Sequence, residues 1–462
     1  MKILTKRLSL LLIICLLGLL VANNVGLAED KVLYMTLSSK ASGILRILPE
    51  YQEISGVKIR VDVLPYGGLQ EKTYLELTSK TGFYDIFYLD VPWMPDILPL
   101  VQSLNDMDID FAELNIEGFI KNDFLQTVVF DPKDPGRTPS LDRALDYKAL
   151  EEDGFKIYGV PTQPNVLTMT YRKDLFENPQ HKEEYKKMYG KELTVPETWQ
   201  ELLRVAQFFT RDQNGDGKTD LYGTTLMAKK HESIFCDFKT LLYSYRGILF
   251  DANWNAVFNS PEGVAALQFY VDLINKYKVT PPGVTSYSWY EADMAFSSGK
   301  TAIGFNFKPM KLSENVKGEV GYAPVPGKLE DDGKITRAPH AGTWLLGINK
   351  YSKNKEEAYK LIKWLSSKES QMKYAEVVEQ ITRESIFNDP AAIETFPEYY
   401  PVHYQSLMVG RGRPRITVYS QMSELIQVQL SSAVNLEKTP QQALDDAVDA
   451  VNKLMSQTGY RK

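Results

Sequence analysis

Val32-Leu33-Tyr34-Met35-Thr36-Leu37, Lys58-Ile59-Arg60-Val61-Asp62-Val63 and Tyr84-Asp85-Ile86-Phe87-Tyr88-Leu89 decide the fold of this chain. The first and third read as buried strands, and the second alternates like a half-buried one. Ser38 to Ser55 between the first two reads as a helix. A β-α-β-α-β start implies a mostly parallel α/β sheet covered by helices. Ligands of such sheets bind beyond the C-terminal ends of the strands, which places Ser38, Ser39, Asp90 and Trp93 on one rim.

Outward from this start, Thr198-Trp199-Gln200-Glu201 and Thr439-Pro440-Gln441-Gln442 have capping-box spacing, and Ser260-Pro261-Glu262 puts proline in a first turn. Apolar spacing then predicts helices over 201–210, 262–277, 355–367 and 441–455. Residues 131–157 and 327–338 read as polar loops. The 462 residues exceed what one hydrophobic core usually supports, so two lobes are expected.

Residues 1–28 have the pattern of a secretory signal peptide: Lys2, Lys6 and Arg7, an apolar run from Leu8 to Ala22, and a small-residue site at Gly26-Leu27-Ala28. The run is shorter than the ~20 residues of a membrane span. Export with a mature start at Glu29 is expected. Removing three positive charges takes the net charge from −6 to −9, which argues against nucleic acid as a partner. Cys15 lies inside the apolar run, preceded by Ile14 where a lipid-anchor site wants a small residue. Cleavage leaves Cys236 alone, so the mature chain has no disulfide.

Asp212-Gln213-Asn214-Gly215-Asp216-Gly217-Lys218-Thr219-Asp220 has calcium-loop spacing. Asp212, Asn214, Asp216, Asp220 and the Lys218 carbonyl supply five oxygens, while Gly223 stands where a bidentate Glu is usual. An Asx/Gly-rich turn is the competing reading. Catalytic signatures are missing: no His-Glu-x-x-His, Gly-x-Ser-x-Gly or Cys-x-x-Cys occurs. Gly217-Lys218-Thr219 and Gly299-Lys300-Thr301 lack the upstream glycine of a phosphate loop. Trp93, Trp289, Trp344 and Tyr419 sit beside turn residues, where flat aromatic platforms can hold sugar rings or merely complete a core. Arg411, Arg413 and Arg415 read as a solvated or ion-paired loop, or as a receptor for an anionic group such as a uronate.

Taken together, residues 29–458 resemble the extracellular solute-binding proteins of ABC importers, in the carbohydrate-binding, maltose-binding-protein-like family. The resemblance is carried by Tyr84-Asp85-Ile86 with Asp90 and Trp93; Tyr158-Gly159-Val160-Pro161; Tyr171-Arg172-Lys173-Asp174-Leu175-Phe176; and Val195-Pro196-Glu197-Thr198-Trp199. The Asp212 to Gly223 loop, Phe296-Ser297-Ser298-Gly299-Lys300-Thr301-Ala302, Val325-Pro326-Gly327 and Gly347-Ile348-Asn349-Lys350-Tyr351-Ser352-Lys353-Asn354 continue it.

The resemblance implies a type II, two-lobed fold with three hinge crossings and a ligand cleft between the lobes. Lobe 1 would hold residues 29–162 and 345–400, and lobe 2 residues 163–344 and 401–462, with crossings near Thr162, Leu345 and Tyr400. It implies no reaction and no required cofactor, with Ca2+ at most structural. Capture of a sugar or oligosaccharide by lobe closure, delivery to a membrane permease, and a monomer in the periplasm or on the outer cell surface are expected. Family positions facing the cleft match Ser38, Ser39, Asp90, Trp93, Gln163 and Asn165, with His231, Trp289, Asn306, Trp344 and Tyr419 in the second lobe. Arg383, in Gln380-Ile381-Thr382-Arg383, matches a site often polar in relatives, and Asn306-Phe307-Lys308 stands where many carry a Gly-Pro-Trp-like platform. A receptor for a non-sugar solute and a secreted carbohydrate-active enzyme are the alternatives.

Overall fold

The computed structural model describes residues 31–39, 41–143, 145–376 and 381–461. The expected signal peptide, Cys15, Glu29 and Gln380 lie outside these residues. The three deciding stretches form β1 (Val32–Ser38), β2 (Lys58–Leu64) and β3 (Ile86–Asp90), with β1 parallel to both neighbours. All of β3 is buried, whereas β2 at the sheet edge is mostly open to solvent. The first helix runs Ser42–Ser55 rather than from Ser38, because the Ser39 amide donates to Leu64 O (3.0 Å) and prolongs the ladder before the chain turns.

Further strands are β4 (Val160–Val166), β5 (Thr168–Arg172), β6 (Tyr222–Thr224), β7 (Thr301–Asn306), β8 (Val320–Pro324) and β9 (Ala341–Ile348). The first sheet has the order β2-β1-β3-β9-β4, and the second β8-β5-β7-β6. Only the opening strands of the first sheet are parallel; β9 runs antiparallel to β3 and β4, because it returns from the second lobe.

Each sheet has its own core. Leu33, Phe87, Phe124, Leu345 and Tyr400 belong to one, and Phe238, Tyr270, Ile303 and Met422 to the other. Apart from Tyr322 and Val320 on β8, which pack on the first core from the second sheet, the cores change hands between Val166 and Leu167, between Val325 and Trp344, and between Leu407 and Ile416. The first crossing thus falls at the end of β4 rather than near Thr162. The third falls beyond the helix Tyr400–Val409 rather than near Tyr400, because Tyr400 and Leu407 still pack on the first core.

Capping sets the starts of the longer helices. Thr198 and Glu201 form a capping box on Trp199–Phe209, as do Thr439 and Gln442 on Pro440–Gln457, while Ser260 caps Pro261–Asn275. The fourth expected helix spans Lys355–Leu365. The polar loops carry small elements of their own: Asp146 caps a helix Tyr147–Glu152, and Lys328–Leu329 pairs with Ile335–Thr336. Among the described residues no helix is long and apolar enough to cross a membrane.

Candidate functional site

Strand ends and helix starts from both lobes converge on one cavity of about 80 Å³. From the first lobe come Ser38 and Asp90, where β1 and β3 stop, and Tyr66, which opens the helix Tyr66–Ser79 after Pro65. In the crossings, β4 and β9 set Gln163 opposite Trp344 and Asn165 opposite Gly342. The two-residue period of a strand puts those four on one face, toward the cavity. The second lobe contributes Glu232 and Cys236, one turn apart on the helix Glu232–Ser244, Trp289 and Tyr290 at the start of Trp289–Ser297, and Asn306, Phe307 and Lys308 at the end of β7. His340 and Arg413 complete the lining.

A buried polar chain runs along one wall. Asp90 accepts from Tyr66 Oη–H (3.0 Å) and from Arg413 Nη2, while Arg413 Nη1 lies 3.7 Å from Glu232 Oε1. Glu232 in turn accepts from Tyr419 Oη–H (2.5 Å), Ser423 Oγ–H and Gln427 Nε2 (3.4 Å). Charges this deep are costly unless they are paired or hydrogen-bonded. Burial works against the Arg413 charge, yet Asp90, helped by Tyr419, Tyr66 and Glu232, holds its pKa well above the ordinary value. The guanidinium is therefore committed to two carboxylates and offers no free face to an anion.

Beside it, Lys239 Nζ donates to Gly412 O (2.9 Å) and lies 3.0 Å from His340 Nδ1. Burial pushes Lys239 down to about 7 and His340 well below its usual range, so the imidazole is neutral. Burial also pushes the Cys236 thiol up, which keeps it unreactive.

Two cavity-lining amides are incompletely paired. Gln163 Oε1 accepts from Tyr88 Oη–H, but Gln163 Nε2 and Asn165 Oδ1 are buried with no hydrogen-bond partner. One is a donor and the other an acceptor, the complement of a hydroxyl group.

Aromatic rings form the remaining walls. Tyr66 meets Trp289 (5.6 Å, 82°) and Trp344 (5.9 Å, 86°) edge-on, and Trp344 stacks on Tyr88 at 4.7 Å. Asn306 positions two rings through their backbones, donating to Trp289 O (3.1 Å) and accepting from Phe307 N–H (2.8 Å). The lobes also touch at the mouth, where Ser39 Oγ lies 3.3 Å from Tyr290 Oη and Gln70 Nε2 donates to Ser420 Oγ (3.1 Å). This is a closed arrangement.

Of the residues expected from sequence, Ser38, Asp90, Gln163, Asn165, Trp289, Asn306 and Trp344 line the cavity. Ser39 sits on the rim. Trp93 lies behind the wall, edge-on to Trp344 at 5.5 Å. His231 caps the helix Glu232–Ser244 and packs on Trp289 at 4.4 Å, while Tyr419 reaches the site through Glu232. Arg383 is elsewhere, buried in the first lobe: it donates to Ser366 O (2.7 Å), Leu114 O (3.0 Å) and Asn115 O and lies over Phe119. Carbonyl oxygens at chain turns absorb its donors.

Tyr66, Glu232, Cys236, Tyr290 and His340 are additions that no local pattern announces, while Phe307 and Lys308 follow Asn306 in the segment that stands at the family's platform position. Arg413 stood within an Arg-Gly-Arg-Pro-Arg run, where only the buried partner distinguishes it from its neighbours.

The Asp212–Asp220 loop lies apart from the cavity and closes on itself. Asp212 accepts from the amides of Asn214 (3.1 Å), Gly215 (2.7 Å) and Gly217 (2.7 Å), Asn214 from Asp216 N–H, and Asp216 from Lys218 N–H. Asp220 accepts from Gln213 N–H (2.9 Å). These are nested Asx turns, with Gly215 and Gly217 at φ 81° and 84°. Among the described residues no group of three or more His, Cys, Asp or Glu is placed to hold a metal ion.

Comparison with known proteins agrees with this architecture. The family model described as bacterial extracellular solute-binding protein matches residues 37–372. The probable amino-acid ABC transporter periplasmic-binding protein y4oP of Sinorhizobium fredii is 25% identical over 429 residues, 89% of this chain and 86% of that one. A mannitol-binding protein of Pseudomonas aeruginosa is 27% identical over 53% of this chain and 52% of its own. Among solved structures, maltose-bound T. maritima MalE3 superposes with a TM-score of 0.74 at 26% identity, over 92% of this chain and 99% of that one. With two α/β lobes, three crossings and a cavity closed between them, the chain belongs to the bacterial extracellular solute-binding protein family.

Proposed function

We propose that this chain is the exported binding component of an ABC importer, a receptor without a reaction of its own, whose cargo is a small neutral sugar or polyol. The observation that carries the reading is the unpaired Gln163 Nε2 and Asn165 Oδ1 inside an aromatic-walled cavity. A polyhydroxylated ligand satisfies both amides through one or two hydroxyls and lays its C–H faces on Trp289, Trp344 and Phe307. Asp90 and Glu232 accept from further hydroxyls with the lone pairs their protein partners leave over. The size of the cavity favours a monosaccharide or linear polyol over an oligosaccharide. The relatives named for mannitol and maltose support the class, not the individual ligand.

Ligand contacts to both lobes shift an open–closed equilibrium toward the closed form, which a membrane permease then recognises. The leader of residues 1–28 supports export, and the reading takes no cofactor. One relative is named for amino acids; that cargo needs a free cation for its carboxylate, and Arg413 is committed to Asp90.

The test is thermal unfolding against polyols, mono- and disaccharides, uronates and amino acids. A ligand at 100 times its dissociation constant adds roughly 2.7 kcal/mol. A rise in melting temperature confined to neutral polyols or sugars supports the reading. A rise only with amino acids would replace it.

A further inference from the structure

Behind the crossings lies a second and larger concavity. On β9, Gly342 and Trp344 face the ligand cavity while Ala341 and Thr343, on the other face, line a groove of about 1360 Å³. The first lobe builds one side of it with the helix Lys121–Val128 and the Thr138–Leu141 segment, and the second lobe builds the other with residues 243–250 and Trp254.

Two properties coincide in this groove. Lys121, Arg246, Arg337, Arg411, Arg413 and Arg415 line it, and Glu384 is the one acidic lining residue among those described. Arg413 is paired to Asp90, Arg246 to Glu330 and Arg337 to Glu197, which leaves Lys121, Arg411 and Arg415 with no carboxylate within ion-pair distance among the described residues. Arg415 is 6% exposed; its Nη groups donate to Leu125 O and Val129 O, and its Nε has no partner. Burial pushes its pKa down to about 9, an effect the charge of Asp134 only partly offsets, so an approaching anion relieves an existing cost.

The same groove collects apolar side chains that the fold leaves uncovered. Leu141, Ile248, Met408 and Val409 are each between 46% and 57% exposed, beside the rings of Tyr243, Phe250 and Trp254. Trp254 is held at φ 61°, a conformation a bulky side chain seldom adopts, and it packs on Phe250 at 5.4 Å.

We propose that this groove is a second binding site, for a soluble amphiphilic anion with a phosphate or carboxylate head on an apolar body. The head meets Arg411, Lys121 and the field of Arg415, and the body lies along Ile248, Met408 and Leu141. A neutral sugar finds no pairing there for the cations, and a hydrophilic anion leaves the apolar strip wet. The groove lies on the face of β9 opposite the ligand cavity, and Arg413, held by Asp90, lines both.

Isothermal titration of the purified protein with octyl phosphate, below its micelle concentration, tests this. One equivalent should bind at least tenfold more tightly than inorganic phosphate or octanol alone. Arg411→Glu, Lys121→Glu and, from the apolar side, Ile248→Glu should each weaken binding at least tenfold with an unchanged melting temperature, while Gln163→Leu in the ligand cavity leaves it intact. No saturable binding to the unaltered protein overturns the proposal. So does binding lost in Gln163→Leu but kept in Arg411→Glu, or sedimentation with vesicles containing 30 mol% anionic phospholipid in the absence of monomer binding.

Discussion

Gln163 and Asn165 each hold a buried polar atom without a partner, and such an atom costs about 1–3 kcal/mol until something meets it. Replacing Gln163 or Asn165 by Leu removes that cost from the empty protein and the ligand's anchor together. Asn165→Leu should therefore keep or raise its melting temperature, Gln163→Leu should gain less because it removes the Oε1 acceptor of the buried Tyr88 hydroxyl, and in both ligand affinity falls roughly 10- to 100-fold by calorimetry. Arg413 behaves oppositely, since Arg413→Met leaves Asp90 buried and unpaired. Urea unfolding should register a loss of about 3–5 kcal/mol, partly recovered when Asp90→Asn is added.

Lys239 gives a pH signature. Its value near 7 in the folded protein lies below the ordinary 10.5, so between those limits the unfolded chain binds more protons and stability rises with pH. The slope approaches ~1.4 kcal/mol per pH unit. Lys239→Met should flatten it, so the difference in melting temperature between the native protein and this variant moves in the native protein's favour from pH 7 to pH 9.5. His340, already neutral throughout, adds nothing to that window.

At the scale of elements, the crossings are built to tight tolerance. Gly159, just before β4, has φ 151°, and a Cβ there would lie 2.1 Å from Leu346 O on β9. Gly159→Ala should destabilise by more than 2 kcal/mol and lower ligand affinity as well, because Gln163 and Trp344 share that register. Thr198→Ala, far from the cavity, should cost about 1 kcal/mol through its lost cap and leave affinity untouched.

Elements of this kind were legible in the sequence because their signals are local. Buried runs gave β1 and β3, capping boxes gave the helix starts, and Asp90 announced itself as the end of a central strand. Partners 323 residues apart, as Arg413 and Asp90 are, leave no local trace. Arg383 was drawn toward the site by its motif, and only the fold reveals that turn carbonyls take up its donors. The Asp212 loop has calcium spacing and folds into Asx turns, and spacing alone does not distinguish a turn from a cation loop.

For the whole molecule, the contacts Asp90–Arg413, Tyr66–Trp289, Ser39–Tyr290 and Gln70–Ser420 join the lobes around the cavity. Three of the four are polar, and a ligand that touches both lobes adds the contacts that favour the closed form over the open one. Small-angle X-ray scattering, with and without the neutral ligand that raises the melting temperature, measures this directly. The account predicts a smaller radius of gyration at saturation, with a profile matching the closed structure, and no such change in Gln163→Leu at the same concentration. Saturable binding with an unchanged radius of gyration would contradict it.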